Sequence, residues 1–171
     1  MSAKLQGEAS TAPWITWFGD DFTGSAAVME VLAFSGGPTV LFTDIPSDSL
    51  LERFRGECAI GIASTARSKD PEWMAEHLPR SFAWLDAFQS PILHSKPCST
   101  FDSSPEMGSL GKAIEIGLSV RPVAGVPLIT AAPQMRRYQA FGHLFAGFFD
   151  GVFRLDRHPV MAHHPVTPMD E

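Results

Sequence analysis

Three features of the sequence predict an α/β fold. Short apolar runs rich in β-branched and aromatic residues recur along the chain, stretches with helical spacing separate them, and every run but the second closes in a loop of groups able to bind an anion or a polyol. Strands that alternate with helices in this way imply right-handed βαβ units. The expected architecture is a three-layer, Rossmann-like domain with a mostly parallel β-sheet flanked by helices.

The first strand is the apolar run over 14–18, which stops at Gly19 and two adjacent carboxylates, Asp20 and Asp21. A helix follows over 26–34 on the spacing of Val28, Val31 and Leu32, capped by Thr23 or Ser25 and ended by Ser35-Gly36-Gly37-Pro38. The second strand is expected over 39–43, then a loop and a short helix through Leu50, Leu51 and Phe54 with Ser47 or Asp48 as its cap. Residues 58–63 are apolar without alternation, the mark of a strand buried on both faces. They run into the polar loop Ser64-Thr65-Ala66-Arg67-Ser68.

A long helix is expected from Pro71 to about Phe88, with a break near Pro79, and a short fourth strand over 91–96. The hydroxyl-dense stretch 97–105 leads to a helix over 108–118, and 126–130 reads as a fifth strand ending in Ala131-Ala132-Pro133. After that the alternation breaks. Residues 134–149 mix Arg136, Arg137, Tyr138 and His143 with glycines and phenylalanines, and 151–155 reads as an edge strand or hairpin arm. Residues 157–171 are proline-rich and irregular, as in a segment that leads to something else.

A chain of 171 residues with 44% apolar content suits one domain with a real core. No apolar stretch approaches the roughly 20 residues of a membrane span, and the first residues lack the basic-then-apolar order of a signal peptide, so a cytoplasmic location is expected. A net charge of -6 with scattered basic residues gives no footprint for nucleic acid. Cys58 and Cys98 are expected to be reduced, and no CxxC pair is present. His158, His163 and His164 lack partners at metal-ligand spacing, so no metal site is expected.

A strand, an acidic turn and a capped helix bring backbone N–H groups and two carboxylates to the carboxyl end of a strand, where open α/β sheets bind ligands. The plainer reading is that Asp20 and Asp21 only cap the helix and solvate the turn. Arg67 and Lys96 stand at two further strand ends, and each has a plainer reading as a solvated charge. Ser103 and Ser104 suit turn and cap positions. The phenylalanines over 141–153 suit a core or an interface.

Taken in order, Gly19-Asp20-Asp21-Phe22-Thr23-Gly24, Ser64-Thr65-Ala66-Arg67, Lys96-Pro97-Cys98-Ser99-Thr100-Phe101, Ala132-Pro133 and His164-Pro165-Val166-Thr167-Pro168-Met169 cover nearly the whole chain. In these motifs the sequence resembles the amino-terminal half of the four-carbon acid sugar kinases, which include erythronate and threonate kinases. The resemblance implies a sugar-acid-binding α/β domain over 13–155, a flexible terminus over 1–12, and a connecting segment over 156–171 towards an ATP-binding domain. It implies that Asp20, Asp21 and Thr23 meet substrate hydroxyls, that Arg67 pairs with the substrate carboxylate, and that Lys96, Ser99 and Thr100 line the same pocket. Asp21 is the expected catalytic base.

ATP and Mg2+ are implied for the complete kinase and neither for this chain alone. The implied partners are a small sugar acid and an ATP-binding half, on a continuation of the chain or on a separate chain. A homo-oligomer is left open; nucleic acid and membrane are not expected. Gly108-Ser109-Leu110-Gly111-Lys112 lacks both the spacing and the Ser/Thr of a phosphate-binding loop.

Two positions depart from the family pattern Asp-Ser-Thr-Leu-Arg-Gly: Cys98 replaces its Asp, and Asp102 replaces its Arg. An oxo or branched sugar acid fits that change, and Arg136 or Arg137 is a candidate to restore the positive charge. The alternative function is a stand-alone, catalytically inactive remnant that binds a small hydroxy acid. A haloacid-dehalogenase-type phosphatase is disfavoured, because its second Asp falls where Phe22 stands.

Overall fold

The computed structural model describes residues 12–149 and 151–163. The expected terminus over 1–12 and the motif starting at His164 therefore fall almost entirely outside the described residues. The main sheet holds β1 (Ile15–Gly19), β2 (Thr39–Phe42), β3 (Ala59–Ala63) and β4 (Ile92–Lys96) in the order β2-β3-β1-β4, with every pairing parallel. In register, Gly19 lies between Ala63 and Lys96, so three strands end at one level.

Side chains alternate across this sheet. Thr16, Phe18, Val40, Phe42, Ile60 and Ile62 share one face, which is covered by α3 (Pro71–Asp86) and α4 (Leu110–Val120). Phe18 and Ile62 form the main core with Met74, Leu78, Phe82, Leu85 and Ile116, and the Phe18 and Phe82 ring centroids are 5.0 Å apart. Each such side chain contributes about 1.5–3 kcal/mol on burial. On the other face Trp17 is fully buried over Gly61, where a Cβ would lie 2.1 Å from the indole, and α1 (Phe22–Phe34) packs against β2 and β3.

Several expectations are corrected by local chemistry. The cap of α1 is Asp21 rather than Thr23 or Ser25: its side chain accepts the Gly24 N–H, and Ser25 instead donates to the Asp21 carbonyl. The short helix α2 (Asp48–Leu51) is capped by Ser47. The α3 helix passes through Pro79 unbroken, because Met74 and Leu78 before it and Phe82 and Leu85 after it are all buried in one core. The α4 helix begins at Leu110 rather than Gly108: Gly108 has φ +61, donates its N–H to Lys69 O at 2.8 Å, and leaves Ser109 to cap.

The expected fifth strand over 126–130 does not form. Pro127 has no N–H for a ladder, and the Gln139 side chain bonds Leu128 O and Thr130 N, leaving Leu128 and Ile129 exposed. The tail holds a second, antiparallel sheet instead: β5 (Arg137–Ala140), β6 (His143–Phe148) and β7 (Gly151–Arg154), in sequence order. Its Leu144 and Ala146 pack with Phe101, Leu155, Leu110 and Met161. Among the phenylalanines of this region, Phe141 and Phe149 are exposed and the others half-buried.

Candidate functional site

The site forms where β1, β3 and β4 end together. Gly19 is dictated by close packing, since a Cβ there would lie 1.8 Å from Ser25 Oγ. Backbone bonds then knit the three strand-end loops: Ser64 N donates to Gly19 O at 2.9 Å, Asp20 N to Lys96 O at 3.1 Å, and Arg67 N to Asp20 O at 3.0 Å. Asp20, Asp21, Arg67 and Lys96 are thereby gathered at one sheet edge, beside a small cleft whose walls include Asp20, Arg67, Ser95, Pro97 and Ser109.

Arg67 is the hub. Its Nε donates to Asp102 Oδ2 at 3.1 Å, Nη1 to Asp21 Oδ2 at 3.2 Å, and Nη2 to Thr100 Oγ1 at 3.3 Å as well as to Asp102. Burial works against its charge, but the Asp102 hydrogen bond, with Cys98, Asp102 and Asp21 nearby, raises its pKa further. Asp21 is used twice, once on the α1 amide and once on Arg67. Asp21 therefore caps the helix, as the plainer reading has it, and also pairs with Arg67.

Asp20 differs from its neighbour. Its Oδ2 accepts the Cys98 N–H at 3.4 Å, while Oδ1 is buried and accepts no hydrogen bond among the described residues. Burial, and then the adjacent Asp21 charge, raise its pKa to about 6, against the opposing pull of the Cys98 amide, Lys96 and Arg67. Lys96 Nζ donates to the Pro97 carbonyl, and Gly24 lets Asp21 approach, since a Cβ there would lie 2.8 Å from Asp21 Oδ1. Thr100 also donates to Cys98 Sγ at 3.4 Å. Ser99 is half-buried in the same loop and Thr23 is exposed on the first turn of α1; neither is a partner of Arg67.

Three contributors escaped the sequence reading of the site. Asp102 stood out as a departure, but its bond to Arg67 spans 35 residues and has no local signal. Phe101 holds the loop: it is buried, has φ +56, and packs against β6, so Thr100 and Asp102 on either side both reach Arg67. Gly108 presses against Arg67 O, where a Cβ would lie at 2.4 Å. Arg136, the candidate replacement for the lost positive charge, instead donates to Phe149 O and Gly151 O in the second sheet, and Arg137 donates to Met135 O. Cys58 and Cys98 are free thiols.

At the start of α4, Leu110 N donates to Ser103 Oγ at 3.0 Å, Lys112 N to Ser109 Oγ at 3.1 Å, and Gly108 N to Lys69 O. Among the described residues, no group of three or more His, Cys, Asp or Glu is arranged to hold a metal ion, and no helix is long and apolar enough to cross a membrane.

Comparison with known proteins gives consistent matches. A family described as "sugar-binding N-terminal domain" matches residues 15–171. The chain is 49% identical over 158 residues to a 3-oxo-isoapionate kinase of Paraburkholderia graminis, covering 92% of this chain and 33% of that one. It is 30% identical over 152 residues to a 3-oxo-tetronate kinase of Pectobacterium atrosepticum, covering 89% and 34%. A crystal structure from Salmonella typhimurium LT2, of a protein provisionally named a tRNA synthase, superposes with a TM-score of 0.71 at 26% identity, covering 90% of this chain and 36% of the other. The chain thus spans about a third of the length of the curated relatives it matches.

Proposed function

Because this chain belongs to the sugar-binding N-terminal domain family, we propose that it is the substrate-binding part of an ATP-dependent four-carbon sugar-acid kinase of the threonate, erythronate or oxo-tetronate type. It acts on a substrate hydroxyl only together with an ATP-binding half, and ATP and Mg2+ belong to that half. The observation that carries this reading is the meeting of Asp20, Asp21, Arg67, Lys96 and Thr100 at the carboxyl ends of β1, β3 and β4. Carboxylates suit a polyol because they accept from O–H donors, and the two cations balance an acid group. A net charge of -6 without a basic stripe offers nothing to tRNA.

Phosphoryl transfer depends mainly on positioning and charge neutralisation, with a base to take the acceptor proton. Of the two adjacent carboxylates, the geometry favours Asp20 over the expected Asp21 as that base. Both Asp21 oxygens are engaged, whereas Asp20 has a buried oxygen without a hydrogen-bond partner among the described residues and a pKa of about 6, close to working pH.

Thermal-shift and calorimetric titrations with threonate, erythronate and 3-oxo-tetronate test the reading. Saturable stabilisation by at least one acid, lost in Asp20→Ala, and no stabilisation by ATP alone are expected. Stabilisation by ATP and not by sugar acids would reverse this division of labour.

A further inference from the structure

The carboxylate that Arg67 would grip in a sugar acid has a rival within the chain. A guanidinium has five N–H donors, and it holds a carboxylate best through two parallel bonds. Here Nε and one Nη2 N–H go to Asp102, the other Nη2 N–H to Thr100, and one Nη1 N–H to Asp21. Among the described residues, a single Nη1 N–H is left over. An incoming carboxylate therefore gains one bond from Arg67, or must displace a protein carboxylate to gain two. Asp102 is well placed to resist, because Phe101 beside it is anchored under β6. Its second oxygen, Oδ1, is buried and accepts no hydrogen bond among the described residues.

Resting on the sugar-acid reading, we propose that Asp102 is the specificity-determining residue of this site: it holds Arg67 back from a bidentate carboxylate grip. The site then discriminates against plain hydroxy acids that depend on a guanidinium fork. Asp102 acts on the substrate through Arg67, as a positioning residue.

The test compares two probes that differ in one group, D-threonate and D-threitol, the second carrying a hydroxymethyl in place of the carboxylate. Dissociation constants are measured for the 171-residue chain and for Asp102→Asn, in which Asp21 still holds Arg67. A charge-assisted hydrogen bond is worth enough to shift the threonate-over-threitol ratio about tenfold towards the acid in the variant. Asp102→Ser serves if the Asn variant does not fold. In the wild type, the 15N signal of Arg67 Nε–H, assigned by its loss in Arg67→Ala, should stay in place at saturating threonate because Asp102 retains that donor.

Threonate binding with an unchanged ratio in the variants, or a threonate-dependent shift of the Nε–H signal in the wild type, overturns the role of Asp102 and leaves the sugar-acid reading intact. Failure of both probes, and of the other sugar acids, to bind either chain defeats the sugar-acid reading and this inference with it.

Discussion

Arg67 and Asp102, 35 residues apart in sequence, are joined by a 3.1 Å bond from Nε to Oδ2 that ties the loop after β3 to the loop after β4. The sheet register brings those loops only to one level; this pair, with Asp21 and Thr100, closes them around the cleft.

Arg67→Ala is expected to cost about 1–3 kcal/mol, because it leaves Asp21 and Asp102 without their shared cation. The lower half of that range is favoured, since the Arg67 side chain is 35% exposed and water screens part of the loss. Urea unfolding of the variant at pH 7 measures it. A change under about 0.3 kcal/mol would mean that solvent alone satisfies the two carboxylates.

Gly108→Ala tests the backing of the Arg67 loop. Alanine would have to adopt φ +61 with its Cβ 2.4 Å from the Arg67 carbonyl oxygen, a backbone atom that cannot swing aside. Left-handed strain and overpacking together predict a loss of about 2–4 kcal/mol. A neutral outcome in thermal melts would show that the loop shifts freely.

Asp20 makes stability fall as pH rises. Its folded pKa of about 6 lies above the ordinary aspartate value of 3.8, so the folded state binds the proton more tightly. The penalty is absent below about pH 4, grows between about 4 and 6, and is complete above about 6, reaching on the order of 3 kcal/mol. Asp20→Asn should therefore gain stability over wild type at pH 7.5 and little at pH 4. Parallel curves for the two chains across that window, or a carboxyl NMR titration midpoint near 4, would remove the basis of this prediction.

The parallel core was legible because β1 and β3 are dense in apolar and β-branched residues, and because Gly19 and Ser47 punctuate the chain in the expected manner. Asp20, Asp21, Arg67 and Lys96 stood out in the sequence because each closes a strand or lies in the loop that follows one. What stayed hidden depends on contacts distant in sequence. The bond from Asp102 to Arg67, the grip of β6 on Phe101, and the Gln139 side chain bonded at 128 and 130 leave no periodicity in a local window. The segment 126–130 has strand composition, yet composition cannot supply the neighbouring backbone that a strand needs.

Phe101 offers a test in which glycine and alanine exchange their usual ranks. The side chain is 7% exposed and packs with Leu144, Ala146 and Leu155, so Phe101→Ala should cost about 3–4 kcal/mol through lost burial and the cavity left behind. Its backbone sits at φ +56, where any residue with a Cβ is strained by about 1 kcal/mol and glycine is not. Phe101→Gly loses the same contacts while relieving that strain, so it should unfold no more easily than Phe101→Ala in matched urea titrations. At an ordinary helix or strand position glycine is the worse of the two by about 0.5–1 kcal/mol, and finding that order here would mean the loop relaxes out of the left-handed conformation once the ring is removed. A double-mutant cycle between Arg67→Ala and Asp102→Ala then reads the functional consequence. Its coupling should be about 1 kcal/mol in the wild-type background and shrink towards zero with Phe101→Ala, because the ring under β6 is what holds Asp102 against Arg67.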